Sequence, residues 1–238
     1  MQKLFMIHAL YLIAFYLWLG FTVGYFFRKW LETRWVPSFR AARGDAVTLS
    51  PAGSAGDVAE ERVEWIGEDG RALGRVTRRE MRARNLLHRV TATLVFHPDG
   101  RLYVQRRSAS KDVYPGKFDV CVGGTVAAGE DFATNALREV GEELGVRGVP
   151  VHPLFRHRFQ DAFTNSLIQV SACVYDGPIT LQPEEVSEGA WMDRQQVEAL
   201  LELVCPDSAR GFALYVERYG WGPDFARGVP QGLGEESG

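Results

Sequence analysis

The sequence is poor in cysteine and carries little net charge, and both features narrow what the protein can be. It has three cysteines among 238 residues, and no two of them have the C-x-x-C spacing. An odd, unclustered set favours ordinary thiols in a reducing compartment over a disulfide framework or a structural zinc site. The formal net charge of −3 lacks the basicity that nucleic-acid binding requires, so we expect no nucleic-acid partner.

One long apolar run stands near the start of the chain. Residues 4–27 contain no Asp, Glu, Lys or Arg, and a helix needs about 20 apolar residues to cross a bilayer. Basic residues follow the run closely and only Lys3 precedes it, which predicts that the remainder faces the cytosol. We therefore expect residues 1–30 to form a transmembrane anchor. An unusual targeting peptide or a start assigned too early are the alternatives.

Glycine and proline separate this run from a domain of ordinary size. Residues 31–60 lack a periodic apolar pattern, which predicts a flexible linker. Strand-like and helical patterns alternate over residues 61–220, which predicts an α/β layered domain. Residues 221–238 are rich in Gly and Pro and are expected to form an irregular tail.

The apolar periodicity also predicts individual elements. Strands are expected at residues 62–66, 90–96, 102–105, 120–124, 155–159 and 167–175, and helices at residues 78–85, 132–144, 195–203 and 208–219. The turn at residues 97–100 predicts a hairpin between the second and third of these strands. Gly145 is placed to end the helix before it.

The helix at residues 132–144 carries a carboxylate cluster. Glu139, Glu142 and Glu143 stand at i, i+3 and i+4, so they lie on one helical face and repel one another. A divalent cation would relieve this repulsion, and Mg²⁺ prefers such oxygen ligands. A solvated acidic face is the alternative for the cluster taken alone.

A glycine-rich loop precedes this helix. Glycines at positions 123, 124 and 129 would let the backbone approach a metal or phosphate closely. Glu130 comes just before the helix, about two turns from Arg138, and an ion pair between them would pin the loop onto the helix.

The whole segment resembles the Nudix box, G-x5-E-x7-R-E-U-x-E-E-x-G-U with U apolar, at every specified position. Those positions are filled by Gly124, Glu130, Arg138, Glu139, Val140, Glu142, Glu143, Gly145 and Val146. The resemblance implies a Nudix-type α/β/α sandwich with a mixed sheet and Mg²⁺ or Mn²⁺ as the cofactor. It also implies hydrolysis of a nucleoside diphosphate linked to another moiety.

Roles for single residues follow from the same resemblance. Glu139 and Glu143 would be the main metal ligands, and the Gly124 carbonyl could complete the shell. Glu142 would be a further ligand or the base that orients the water, so Glu142 and Glu139 are the candidate catalytic residues. The predicted ion pair between loop and helix would be structural.

Further motifs resemble the Nudix subgroup related to type 1 isopentenyl-diphosphate isomerase. They are residues 63–70, Leu86-Leu87-His88-Arg89, and Gln105-Arg106-Arg107-Ser108 with Lys111 and Pro115-Gly116. An isomerase is therefore an alternative function, and a catalytically silent diphosphate-binding sensor is another. The cysteine and histidine of the isomerases would fall on Gly123 and Thr125 here, which favours hydrolysis, as does the intact box.

Five residues outside the box are candidates for the site. Arg106, Arg107 and Lys111 could bind substrate phosphates, although adjacent strand residues point to opposite faces and the two arginines should not both face the site. His88 is a candidate through the isomerase resemblance. Glu185 is one because a carboxylate from this region can reach the metal or water in related Nudix proteins. A basic surface loop, a structural histidine and an exposed acidic loop are the respective alternatives.

Overall fold

The computed structural model describes residues 48–49 and 58–227. The predicted anchor at residues 1–30 and most of the predicted linker lie outside the described residues, so the anchor and the cytosolic orientation stay predictions. Within the described part of the chain, no helix is long and apolar enough to span a membrane. This part forms a mixed α/β fold with an open sheet.

The described residues form ten strands and four α-helices. The strands are β1 Thr48–Leu49, β2 Arg62–Ile66, β3 Ala72–Thr77, β4 His88–Phe96, β5 Leu102–Arg107, β6 Phe118–Asp119, β7 His152–Gln160, β8 Asn165–Val174, β9 Thr180–Leu181 and β10 Val186–Met192. The helices are α1 Arg78–Ala83, α2 Phe132–Leu144, α3 Arg194–Leu200 and α4 Pro206–Tyr219.

Strand β4 organises the sheet. It pairs in parallel with β8 along its whole length, and β7 returns antiparallel to β8. The β2–β3 hairpin joins β4 where Trp65 stands opposite His88, while β5 carries β6 and β10. One parallel pair among antiparallel ones makes the sheet mixed, as predicted.

The predicted hairpin between β4 and β5 forms its turn, but its strands separate at once. They pair only where Phe96 faces Leu102. Residues 122–126 lie along β4 instead, bridging Val122 to Thr93 and Thr125 to Val90. The strand predicted at residues 120–124 is therefore wrong as a regular strand, and the glycine-rich loop occupies its place beside β4.

Gly123 allows this close approach between loop and strand. A Cβ atom at this position would lie 2.0 Å from the carbonyl oxygen of Thr91, far inside van der Waals contact. On either side of Gly123, Val122 exchanges hydrogen bonds with Thr93, and the Gly124 carbonyl accepts one from the Thr91 amide at 3.0 Å. The loop is thus fixed to the centre of the sheet.

Helices cover both faces of the sheet. Neighbouring residues of a strand point to opposite faces, and β4 shows this at its end. Val95 belongs to the core cluster that includes Val140 and Leu144 of α2, whereas the ring of Phe96 lies 5.4 Å from that of Tyr215 on α4. The layers are therefore helix, sheet and helix, in agreement with the predicted sandwich.

Helix α2 has the predicted bounds because its signals are local. The Asp131 side chain accepts a hydrogen bond from the Thr134 amide at 2.7 Å, and Gly145 ends the helix in the left-handed region with φ of 70°. Strands β3 and β10 were not predicted. In β3 only Val76 is buried, so this edge strand lacks the apolar alternation that the prediction used.

The start of the predicted tail packs on the domain. The indole of Trp221 donates to the Gly100 carbonyl at 2.9 Å and meets the ring of Phe96 edge-on. Phe225, in the short 3₁₀ helix Asp224–Arg227, is buried. Residues 228–238 lie outside the described part of the chain.

Candidate active site

A cavity of about 410 Å³ opens where α2 meets the glycine-rich loop. Its lining includes Glu139 and Glu142 of α2, Gly124 of the loop, and Lys111 and Glu185 from two further segments. The fold thus brings together five residues that the sequence had placed in three separate motifs.

Glu139 and Glu143, one helical turn apart, are the most buried acidic groups of α2. Glu143 is 3% exposed, and its Oε2 accepts a hydrogen bond from Gln105 Nε2 at 2.9 Å. The Glu139 carboxylate lies so close to the loop that a Cβ at Gly124 would be only 2.7 Å from Glu139 Oε1. Glycine at this position lets the carboxylate reach the loop backbone.

Burial makes these carboxylates hold protons more tightly than usual. Burial first and Glu143 second raise the pKa of Glu139 to about 7, while Arg138 opposes the shift. Burial also raises the pKa of Glu143, against the opposing effects of Lys111 and of the hydrogen bond from Gln105. A proton or a cation between the two would relieve the cost of burying both charges.

Arg138 braces the loop against the helix, as the sequence predicted. Its guanidinium donates to both oxygens of Glu130, from Nε at 3.0 Å and from Nη2 at 3.1 Å. Glu130 also accepts hydrogen bonds from the Ala127 amide and the Asn135 side chain. One carboxylate thus joins the loop backbone to two positions of α2.

Glu142 has a different environment from the other two glutamates. Its side chain is 49% exposed at the rim of the cavity, where Arg138 Nη1 donates to it at 2.8 Å. The Gly124 carbonyl already accepts a hydrogen bond from the Thr91 amide, which leaves one of its lone pairs for a metal. The members of the predicted ligand set therefore differ in burial and in hydrogen bonding, and their role as ligands stays a prediction.

The three predicted phosphate ligands are placed differently. Lys111 lines the cavity in an ion pair with Glu185. Arg107 lines an adjoining recess of about 60 Å³, where it donates to the Val113 carbonyl and to Asp119. Arg106 turns away to Glu188 at 3.2 Å and does not line either space. The expectation that the two arginines face opposite sides is confirmed.

His88 is fully buried and does not line the cavity. Burial first and Arg82 second lower its pKa to about 3, so the ring is neutral. Its Nδ1 donates to the Leu86 carbonyl at 2.9 Å, which leaves Nε2 as the acceptor facing Arg82 Nη1 at 3.4 Å.

The sequence reasoning missed Gln105, Glu61, Arg78 and Gln182. Gln105 supports Glu143, and the other three line the cavity. The one available signal was Gln105 itself, a polar residue that directly follows three apolar strand residues and shares a face with Arg107. The others carry no local signal, because the approach of distant segments places them there.

Asp207, in the first turn of α4, lines the adjoining recess. It is expected to make the stability of the fold depend on pH. Burial first and Asp119 second raise its pKa from 3.8 to about 6. The folded state therefore holds the proton more tightly, and ionisation destabilises the fold increasingly between about pH 4 and pH 6. We expect Asp207→Asn to raise the free energy of unfolding by about 1–3 kcal/mol at pH 8 and to leave it unchanged at pH 4. Urea unfolding at both pH values measures this, and an equal change at both would contradict it.

Comparisons with known proteins identify the family to which this chain belongs. A model of the NUDIX domain matches residues 86–235. An uncharacterised Nudix hydrolase of Pseudomonas aeruginosa is 40% identical over 159 residues, which cover 66% of this chain and 94% of that protein. The Escherichia coli protein YfcD, also an uncharacterised Nudix hydrolase, is 36% identical over 158 residues, covering 66% and 88%. The chain therefore belongs to the NUDIX domain family.

It is an enzyme of the Nudix hydrolase class, which acts on pyrophosphate bonds. Such hydrolases generally use divalent metals such as Mg²⁺ or Mn²⁺. The crystal structure of DR0079 from Deinococcus radiodurans is similar to this chain, with a TM-score of 0.56 and 28% sequence identity. The match covers 63% of this chain and 96% of that one.

Proposed function

We propose that this Nudix hydrolase cleaves a diphosphate linkage in a nucleoside-diphosphate-linked or related small molecule, and that cleavage depends on Mg²⁺ or Mn²⁺. The observation that carries the proposal is the pair Glu139 and Glu143, two buried carboxylates with raised pKa values beside an open cavity. Their mutual repulsion favours a bound divalent cation, and a diphosphate is a natural ligand of such a cation.

The donor set fits a magnesium ion held by few protein ligands. Among residues 48–49 and 58–227, no three His, Cys, Asp or Glu residues converge closely enough to hold an ion on their own. Mg²⁺ is usually bound by one or two carboxylates, waters and substrate phosphates. Glu139 and Glu143 would supply these carboxylates, with Glu142 or the Gly124 carbonyl as a further ligand. The bound ion would neutralise phosphate oxygens and lower the pKa of a water.

Glu139 and Glu142 are the candidates to accept the proton of the attacking water, because both line the cavity and a general base must lie within hydrogen-bond reach of the proton that it accepts. Glu142 meets solvent at the rim, where Arg138 holds it. Lys111 is the predicted phosphate ligand that lines the cavity, so we assign it to the substrate and leave out Arg106.

Hydrolysis is favoured over the isomerase alternative by Gly123 and Cys121. A cysteine side chain at position 123 would overlap the Thr91 carbonyl. Cys121 does not line the cavity, and its burial raises the pKa of its thiol well above the usual value. No thiol is therefore available in the cavity to donate a proton to an alkene.

A substrate panel tests the proposal. The full-length protein is incubated with Mg²⁺ and nucleotide sugars, ADP-ribose, dinucleoside polyphosphates or isopentenyl diphosphate, and the products are separated by chromatography. We expect phosphate-bond cleavage of at least one substrate, and loss of that cleavage in EDTA. An allylic product without cleavage would establish the isomerase instead. Binding without turnover would establish the sensor.

A further inference from the structure

We propose that Arg78, supported by Arg82, is a binding site for a phosphate group of the substrate. The site lies on α1, outside the Nudix box, and rests on the proposed function for the nature of its ligand. Both arginines lie on one face of this helix, about one turn apart at i and i+4. Arg78 lines the main cavity and the recess, and Arg82 lines the recess.

Arg78 is the cation of the cavity with the weakest partners. Three cationic side chains line the cavity in the described part of the chain. Arg138 is held by Glu130, Glu139 and Glu142 at 2.8 to 3.0 Å, and the third cation, a lysine, has its own carboxylate in contact.

The contacts of Arg78 are longer. Its Nη1 lies 3.4 Å from Glu61, and its buried Nε atom has no hydrogen-bond partner, with Asp112 at 3.9 Å. A buried, charged donor without a partner is costly. A phosphate oxygen entering the cavity would satisfy this donor, and a guanidinium suits the planar, bidentate contact.

Arg82 lines the recess beside Arg78 and adds a second positive charge there. Its guanidinium donates to Thr125 and Thr164 and to Asp112, at 3.2 to 3.4 Å. These contacts fix Arg82 between the glycine-rich loop and the β7–β8 turn. It is therefore a positioning residue that keeps a second cation close to the site.

The two arginines share Asp112 as a counter-ion, and Arg78 has only the long contact with Glu61 in addition. Asp112 reaches both guanidinium groups, and its own side chain is 46% exposed. Like charges at i and i+4 repel, as the acidic residues of α2 do. The cavity therefore has an acidic wall for a cation and a basic wall for an anion, and a diphosphate with its metal matches both.

The experiment compares neighbouring arginines on the same helix. Arg78→Gln removes the proposed contact. Arg79→Gln makes the same chemical change at a side chain that is 69% exposed and pairs with Glu60 outside the cavity. Inorganic pyrophosphate is titrated calorimetrically into each metal-free, full-length protein, and KM and kcat are measured for the substrate that the panel identifies. Circular dichroism melting verifies that both variants fold.

We expect Arg78→Gln to weaken pyrophosphate binding and to raise KM by about 10- to 100-fold, as for the loss of charge-assisted hydrogen bonds. The value of kcat should change much less, and Arg79→Gln should match the unaltered protein. Asp112→Asn should have the opposite effect on pyrophosphate and tighten its binding, because it removes the competing carboxylate. If these ion pairs only stabilised the fold, Arg78→Gln and Asp112→Asn would both weaken pyrophosphate binding.

Equal pyrophosphate affinity in Arg78→Gln and Arg79→Gln would overturn the inference, as would the absence of pyrophosphate binding by the unaltered protein. The titration needs no turnover, so it separates this inference from the proposed function. A protein that cleaves no diphosphate but loses pyrophosphate binding in Arg78→Gln would retain the site and lose the proposed activity.

Discussion

Replacing Glu143 by Gln is expected to reduce Mg²⁺-dependent diphosphate cleavage on the order of 10³-fold. The change removes one charge from the buried pair that we propose to hold the metal. A catalytic metal stabilises the transition state by several kcal/mol, and each ~1.4 kcal/mol corresponds to a factor of ten in rate. Initial rates with the substrate that the panel identifies measure the effect, at saturating Mg²⁺.

The same substitution is expected to raise the thermal stability of the metal-free protein. Because burial raises the pKa of Glu143, the folded state binds its proton more tightly than the unfolded chain does. The ionised carboxylate therefore destabilises the fold above the unfolded pKa of about 4. Gln has no charge to bury, so the melting temperature should rise at pH 8, by about 2–4 °C for each kcal/mol gained. The gain should vanish near pH 4.

Glu198→Gln is the matched control for both effects. Glu198 lies on α3, is 52% exposed and pairs with Arg194 at 2.7 Å. Exposed pairs contribute about 0–1 kcal/mol, so neither rate nor melting temperature should change much. Full activity in Glu143→Gln would contradict the assigned role, and a lower melting temperature at pH 8 would contradict the electrostatic argument.

Replacing Gly123 by Ala is expected to destabilise the fold by more than about 4 kcal/mol, an effect that is exceptional for one substitution. The added Cβ would lie 2.0 Å from the Thr91 carbonyl oxygen and 2.7 Å from its carbon. Both atoms belong to the backbone of β4 and cannot rotate away. The loop would have to leave the strand and give up its hydrogen bonds to Thr91 and Thr93.

Gly141→Ala provides the matched control with the opposite sign. Gly141 lies within α2, and the nearest atoms to an added Cβ are 3.7 Å away. Alanine is favoured over glycine inside a helix by about 0.5–1 kcal/mol, so this variant should be more stable. Urea unfolding compares the two. A stable Gly123→Ala protein would show that the loop can sit elsewhere.

The acidic helix and its brace were predictable because their determinants are local. The spacing of Glu139 and Glu143 fixes a common helical face, and Asp131 and Gly145 fix the ends of that helix. The pairing of Glu130 with Arg138 follows from their separation of about two turns. None of these features depends on how distant segments pack.

The sequence could not show how the three glutamates differ. Spacing places Glu139, Glu142 and Glu143 together, but burial decides that two have raised pKa values while the third stands at the rim. Burial depends on what covers the helix. Here the cover is the glycine-rich loop and β5, which carries Gln105 to within 2.9 Å of Glu143.

The acidic wall was therefore determined by the sequence alone, through caps, helical spacing and glycines in one continuous segment. Only the tertiary structure decided the basic wall. Arg78 reaches the cavity because β2 and β3 bring α1 beside the loop. Arg106 does not reach it because its side chain lies on the opposite face of β5 from Gln105 and pairs with Glu188. Local patterns encode which residues share a helix or strand, whereas the meeting of separate elements depends on long-range packing that no local pattern records.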